Sequence, residues 1–266
     1  MFAGINLKTT NEFKEYKTDG ELQLKRFKTI TESNLRVYLK DGILDGRMIQ
    51  DDWFPQIDAD IFLSHSHVDE DLAKGFAGWL YKKFNLKVFV DGCIWGFCND
   101  LLKEIDDEYC KQVSGTYDYE KRNYSTSHVH IMLATSLFKM IDKTEAVILL
   151  NTQNSISNAA GSITNKTSSP WIYSEIIATE VIRKKTLDNY RLILKKGQFM
   201  MEHASKDLKI DYNVDLKHLK QITDSHLIAW DKEYTVASNR TDALPPLDYL
   251  YKIIDPNLLK ELTIAN

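Results

Sequence analysis

Apolar residues gather in short runs at 59–64, 86–90 and 146–150, each followed at once by small or polar side chains. Runs of this length fit buried strands of a parallel sheet better than helices. Between them the period changes. Over 69–84, Leu72, Phe76, Trp79 and Leu80 recur at helical spacing, acids Asp69, Glu70 and Asp71 fill the first turn, and Asn85 suits the stop. A strand, a helix and a second strand at this spacing form a right-handed βαβ unit. A helix from Ser127 to Asp142 would turn Val129, Leu133, Leu137, Met140 and Ile141 inward. Pro170 suits a first helical turn, and a helix running to Lys185 follows. Two more strands are expected at 191–194 and 227–230, and helical turns at 101–109, 216–222, 247–254 and 258–262. The fold class is therefore α/β, a five-stranded parallel sheet with helices on both faces.

The polar stretches set the expected boundaries. Residues 1–57 mix lysines with acids and carry turn signals at Asp19-Gly20 and Asp41-Gly42, so they read as a solvated extension packed on the domain edge. Pro55 marks the passage into the domain at 58–235, and 236–266 forms a helical tail. Residues 91–100 form a loop with Gly92 and Gly96, and an insertion rich in Tyr, Ser and Thr lies at about 103–128.

Composition narrows the class. Hydrophobic residues make up 43% and charged residues 27%, as in a soluble globular protein. A net charge of −4 disfavours nucleic acid as a partner. No apolar run is long enough to span a bilayer, and Met1 to Gly4 do not open a secretory signal. Three cysteines give no disulfide framework, which fits a reducing, cytoplasmic compartment. Cys93, Cys98, Cys110, His128 and His130 lack the C-x-x-C spacing of a zinc site, so no metal is expected. No G-x-G-x-x-G or P-loop is present.

Candidate chemistry sits at the end of the first strand. In open parallel sheets, ligands lie just outside the carboxyl ends of strands. Ser64, His65, Ser66 and His67 occupy that rim, and Asp91 and Trp95 follow the second strand on the same rim. Glu175 lies four residues after Trp171, so both fall on one face of an otherwise apolar helix.

Four boxes occur in one order: Asp60-Ile61-Phe62-Leu63-Ser64-His65-Ser66 with Asp69; Lys87-Val88-Phe89-Val90-Asp91 with Gly96; Ala146-Val147-Ile148-Leu149-Leu150-Asn151; and Ser169-Pro170-Trp171-Ile172-Tyr173-Ser174-Glu175-Ile176. Together they resemble the Toll/interleukin-1 receptor (TIR) domain family, above all its stand-alone prokaryotic members. The resemblance implies a flavodoxin-like fold over 58–235. It also implies NAD+ as substrate rather than cofactor, Glu175 as the catalytic carboxylate, and Phe62, Ser64, His65, Ser66, His67, Asp91, Trp95 and Trp171 around the substrate. The expected activity is NAD+ glycohydrolase or cyclase chemistry in antiphage immunity. Self-association through TIR–TIR contacts and a separate effector that senses the product are the implied partners. Trp95 and Phe97 stack on a base or pack against a neighbouring subunit. A non-catalytic scaffold acting through the loop after the second strand is the alternative.

Overall fold

A computed structural model of the chain describes residues 1–27, 35–40, 43–90, 92–158, 165–191, 212–241 and 243–259. Five parallel strands form its centre: β1 (Ala3–Lys8), β2 (Ile61–Ser64), β3 (Val88–Val90), β4 (Ala146–Leu150) and β5 (Lys220–Thr223). They lie in the order β5-β1-β4-β2-β3. The principal helices are α1 (Lys17–Phe27), α2 (Gly46–Trp53), α3 (Glu70–Phe84), α4 (Gly92–Ile105), α5 (Tyr119–Lys143), α6 (Pro170–Val181), α7 (Asp224–Ala237) and α8 (Pro246–Ile254).

The expected α/β architecture holds, and the fold is flavodoxin-like. Strands at 61–64, 88–90 and 146–150 and the helix at 70–84 stand where the pattern puts them, and the helix from Pro170 ends at Val181, a turn short of Lys185. Asn85 ends α3 in the left-handed region, at φ 54. Val129, Leu133, Leu137, Met140 and Ile141 are all buried. Alternation splits the core along the sheet. Ile5, Leu7, Ile61, Leu63, Ile148 and Leu150 share one cluster with residues of α3, α7 and α8. Phe62, Phe89 and Val147 pack on the other face with residues of α2, α4 and α5.

The N-terminal segment corrects the expectation of an extension. Residues 3–8 form an inner strand, paired with β4 on one side and β5 on the other. In a flavodoxin-like sheet the strand fourth in sequence fills this position; here the first strand of the chain does. Ala3, Ile5 and Leu7 alternate with Gly4 and Asn6, a period-two signal that the polar residues downstream obscure. The segment also seals an edge. Gln23 of α1, buried, accepts from Val88 N at 3.0 Å and donates from Nε2 to Leu86 O at 3.4 Å, so its amide completes part of the β3 ladder. α1 can reach there because it crosses α3 at glycines. A Cβ on Gly20 would lie 1.9 Å from Lys74 O, and one on Gly78 2.0 Å from Tyr16 O.

Other expectations also change. Residues 227–230 lie in α7 instead of a strand, and the strand comes earlier, at 220–223, where a helix was expected. The apolar run Leu227-Ile228-Ala229-Trp230 fits either state by itself. The helix wins because Thr223 N donates to His226 Nδ1 at 3.1 Å, closing its first turn. Of the strand expected at 191–194, Arg191 closes a short helix and the rest lies outside the described residues. The segment after β3 is helix from Gly92 instead of a loop. The insertion is helical as well. A π-helical turn at Asp106–Cys110 and a tight turn closed by a Lys111–Tyr117 bridge lead into α5, which starts eight residues before Ser127. Asp118 caps it, accepting from Lys121 N at 3.0 Å. Buried Asp106 accepts from Arg122 Nε at 2.8 Å and Ser125 Oγ at 2.5 Å, fixing the turn to the helix.

Candidate functional site

β2 and β4 flank the point where chain connections leave in opposite directions, the usual ligand crevice of an open α/β sheet. Ser64 closes β2 there, in register with Leu149 of β4. α6 lies over this end of the sheet. Ser169 accepts from Ile172 N at 3.2 Å and Pro170 occupies the first turn, so the helix starts at a defined residue. Of its buried positions, Ile172, Glu175, Ile176 and Thr179 make one stripe, and Ala178 packs with the cluster around Phe62. Glu175 therefore faces the sheet, and its side chain meets Ser64. Ser64 Oγ donates to Glu175 Oε2 at 2.6 Å, and the two residues are 2% and 1% exposed. A bond this short orients the carboxyl group.

The structure brings together only part of the expected set. His65 is buried beside Ser64, and Ser66 is half-buried at the start of the turn into α3. His67 points into solvent, 3.9 Å from Glu70 Oε2, and lies off the site. Glu70 is held below the usual carboxylate range chiefly by its bond with Lys74, at 2.6 Å. Phe62 is 0% exposed and packs its ring 5.2 Å from that of Phe89. It is a core residue, because alternation buries it one step below Ser64. Trp171, half-buried one turn before Glu175, stands edge-on to His130 of α5 at 5.9 Å between ring centroids. Burial holds the His130 imidazole below its ordinary pKa. Asp91 and the side chain of Trp95 lie outside the described residues.

Asp69 belongs to the first box, and the other residues that meet near the site had no motif to mark them. Asp69 accepts from Thr152 Oγ1 at 2.5 Å and from Asn154 Nδ2 at 2.7 Å, tying the turn after β2 to the loop after β4 across the crevice. Ser155 Oγ donates to Leu150 O at 2.8 Å and anchors that loop. Farther along α6, Thr179 donates to Ile176 O at 2.7 Å, and His218 Nε2 lies 2.9 Å from the same hydroxyl. A carbonyl only accepts, so the hydroxyl hydrogen is committed to it, and His218 Nε2 must carry the proton of the second bond. Such contacts depend on which loops meet, and local sequence holds no sign of that.

Ser64, Glu175, Val147, Leu149, Thr179 and Leu219 line a cavity of about 10 Å³, room for about one water. In this conformation the carboxylate is shut away from any larger ligand. Among the described residues no cluster of three His, Cys, Asp or Glu could hold a metal ion. No helix of the described residues is long and apolar enough to cross a membrane.

Comparison of the chain with protein-family models, with curated proteins and with solved structures returns no match.

Proposed function

We propose that the chain is a TIR-type enzyme that cleaves the nicotinamide–ribose bond of NAD+ and serves antiphage defence in a bacterial cytoplasm. Nicotinamide leaves, and ADP-ribose or a cyclic or conjugated derivative is the other product. The observation that carries the reading is the Glu175 carboxylate, buried at the crevice and held by Ser64. The leaving pyridinium nitrogen is already cationic and departs neutral, so no general acid is needed. Positive charge develops on the ribose carbon as the bond stretches. One fixed carboxylate beside that carbon stabilises it, as in glycosidases, and more strongly where water is excluded. Water, a hydroxyl of the substrate itself or, for a conjugate, a hydroxyl of a second molecule then closes the new bond and releases a proton.

The narrow cavity makes a rearrangement that opens it a condition for turnover. Self-association is the trigger that the resemblance suggests for it. The test is to incubate the purified protein with NAD+ across a concentration series, resolve the products by chromatography, and repeat with Glu175→Gln. Release of nicotinamide by the wild type alone is the expected result. The same closed cavity favours one second reading, a scaffold in which Glu175 has a structural part. Concentrated, self-associated wild type that releases no nicotinamide would establish that reading instead.

A further inference from the structure

The register of the sheet places a second polar side chain on the face that carries Ser64. Ser64 pairs with Leu149, Leu149 with Asn6, and Asn6 with Gln221. Residues in register on parallel strands point to the same face. Asn6 therefore stands two strands from Ser64, roughly 10 Å at ordinary strand spacing. It lies towards the carboxyl end of β1 and on the face that α6 covers. The neighbouring residues confirm the side: a Cβ on Gly4 would lie 2.6 Å from Leu219 and 3.9 Å from Thr179, both of which line the cavity beside Glu175.

An asparagine here lacks the usual structural reason. It is 1% exposed on an inner strand between Ile5 and Leu7. Its Oδ1 is buried, and among the described residues no donor reaches it. A buried amide oxygen without a partner is a net cost to the fold, and an apolar residue of the same size would remove that cost. We propose that Asn6 is a substrate-binding residue of the crevice, its side-chain carbonyl accepting a hydrogen bond from an N–H or O–H group of the dinucleotide. The inference rests on the NAD+ reading above and extends it. Asn6 and Glu175 are each 1% exposed, so the proposal requires that the opening which admits substrate to Glu175 uncovers Asn6 as well. The N-terminal strand then supplies part of the site besides completing the sheet.

The experiment uses the full chain with Asn6→Leu and Asn6→Thr, read by thermal melting and by steady-state NAD+ cleavage. For Asn6→Leu the expected result is a melting temperature equal to or above that of the wild type, with KM raised about tenfold, the size of one lost hydrogen bond to a ligand. Asn6→Thr, which returns an oxygen acceptor on a side chain suited to strands, is expected to recover part of the affinity. A fall of several degrees for Asn6→Leu with KM unchanged would mark Asn6 as structural and overturn the proposal. Wild type that neither binds nor cleaves NAD+ would remove the underlying reading, a failure distinct from that of an active enzyme indifferent to Asn6.

Discussion

Ser64 Oγ and Glu175 Oε2 lie 2.6 Å apart although the residues are 111 positions apart in the chain. The bond joins the end of the second strand to the middle of α6. Glu175→Gln keeps an acceptor for Ser64 and removes an ionisable group from a buried site. The weaker bond and the lower desolvation cost oppose each other, so stability should stay within about 1 kcal/mol of wild type. NAD+ cleavage should be abolished. Ser64→Ala instead takes a donor from a buried carboxylate, and a loss of about 2 kcal/mol is expected. Urea titration of both variants beside the product assay checks the contrast.

Gly78→Ala tests how α1 is held. Alanine is preferred over glycine in a helix by about 1 kcal/mol. Here its Cβ would meet Tyr16 O at 2.0 Å and Gly20 N at 2.6 Å, backbone atoms that cannot swing away. The clash should dominate, at about 3 kcal/mol or more. Hydrogen exchange should rise across α1 first, because that helix must lift off α3 to relieve the contact.

Gln23→Leu keeps the volume at the edge of β3 and removes the amide. Val88 N–H, bonded to Gln23 Oε1 at 3.0 Å, would be left unpaired. A cost of about 1–3 kcal/mol is expected. An uncovered edge strand also invites pairing with another chain. Light scattering should show association that the wild type lacks, beside a lowered denaturation midpoint.

Burial pushes the Cys98 thiol from its ordinary value near 9 up to about 11, and it raises Cys110 as well. At pH 8 only about a thousandth of Cys98 would be thiolate. Peptide-resolved labelling with a maleimide should find both residues slow in the native protein and fast in urea. The neutral thiol is the form the fold favours. The stability linked to Cys98 is therefore complete below about pH 9 and is lost as pH rises towards about 11. Cys98→Ala should flatten that loss in a pH series of melting temperatures.

Local chemistry explains what was legible in the chain. The strands at 61–64, 88–90 and 146–150 are apolar runs that end abruptly. α6 carries its own start in Ser169 and Pro170, and α3 its own stop in Asn85. Glu175 stood out because a charge on an apolar helix asks for a partner. These signals act within a few residues, and sequence alone determined them. Tertiary structure decided which strands lie side by side. It made Ala3–Lys8 an inner strand and gave Lys220–Thr223 a place beside it, because a short polar strand forms only where a neighbour completes its hydrogen bonds. It also turned the expected loop and insertion into α4 and the long α5, and it put His67 in solvent and Phe62 in the core. The partners of Glu175, Asp69 and Thr179 come from distant segments, so only packing could bring them together.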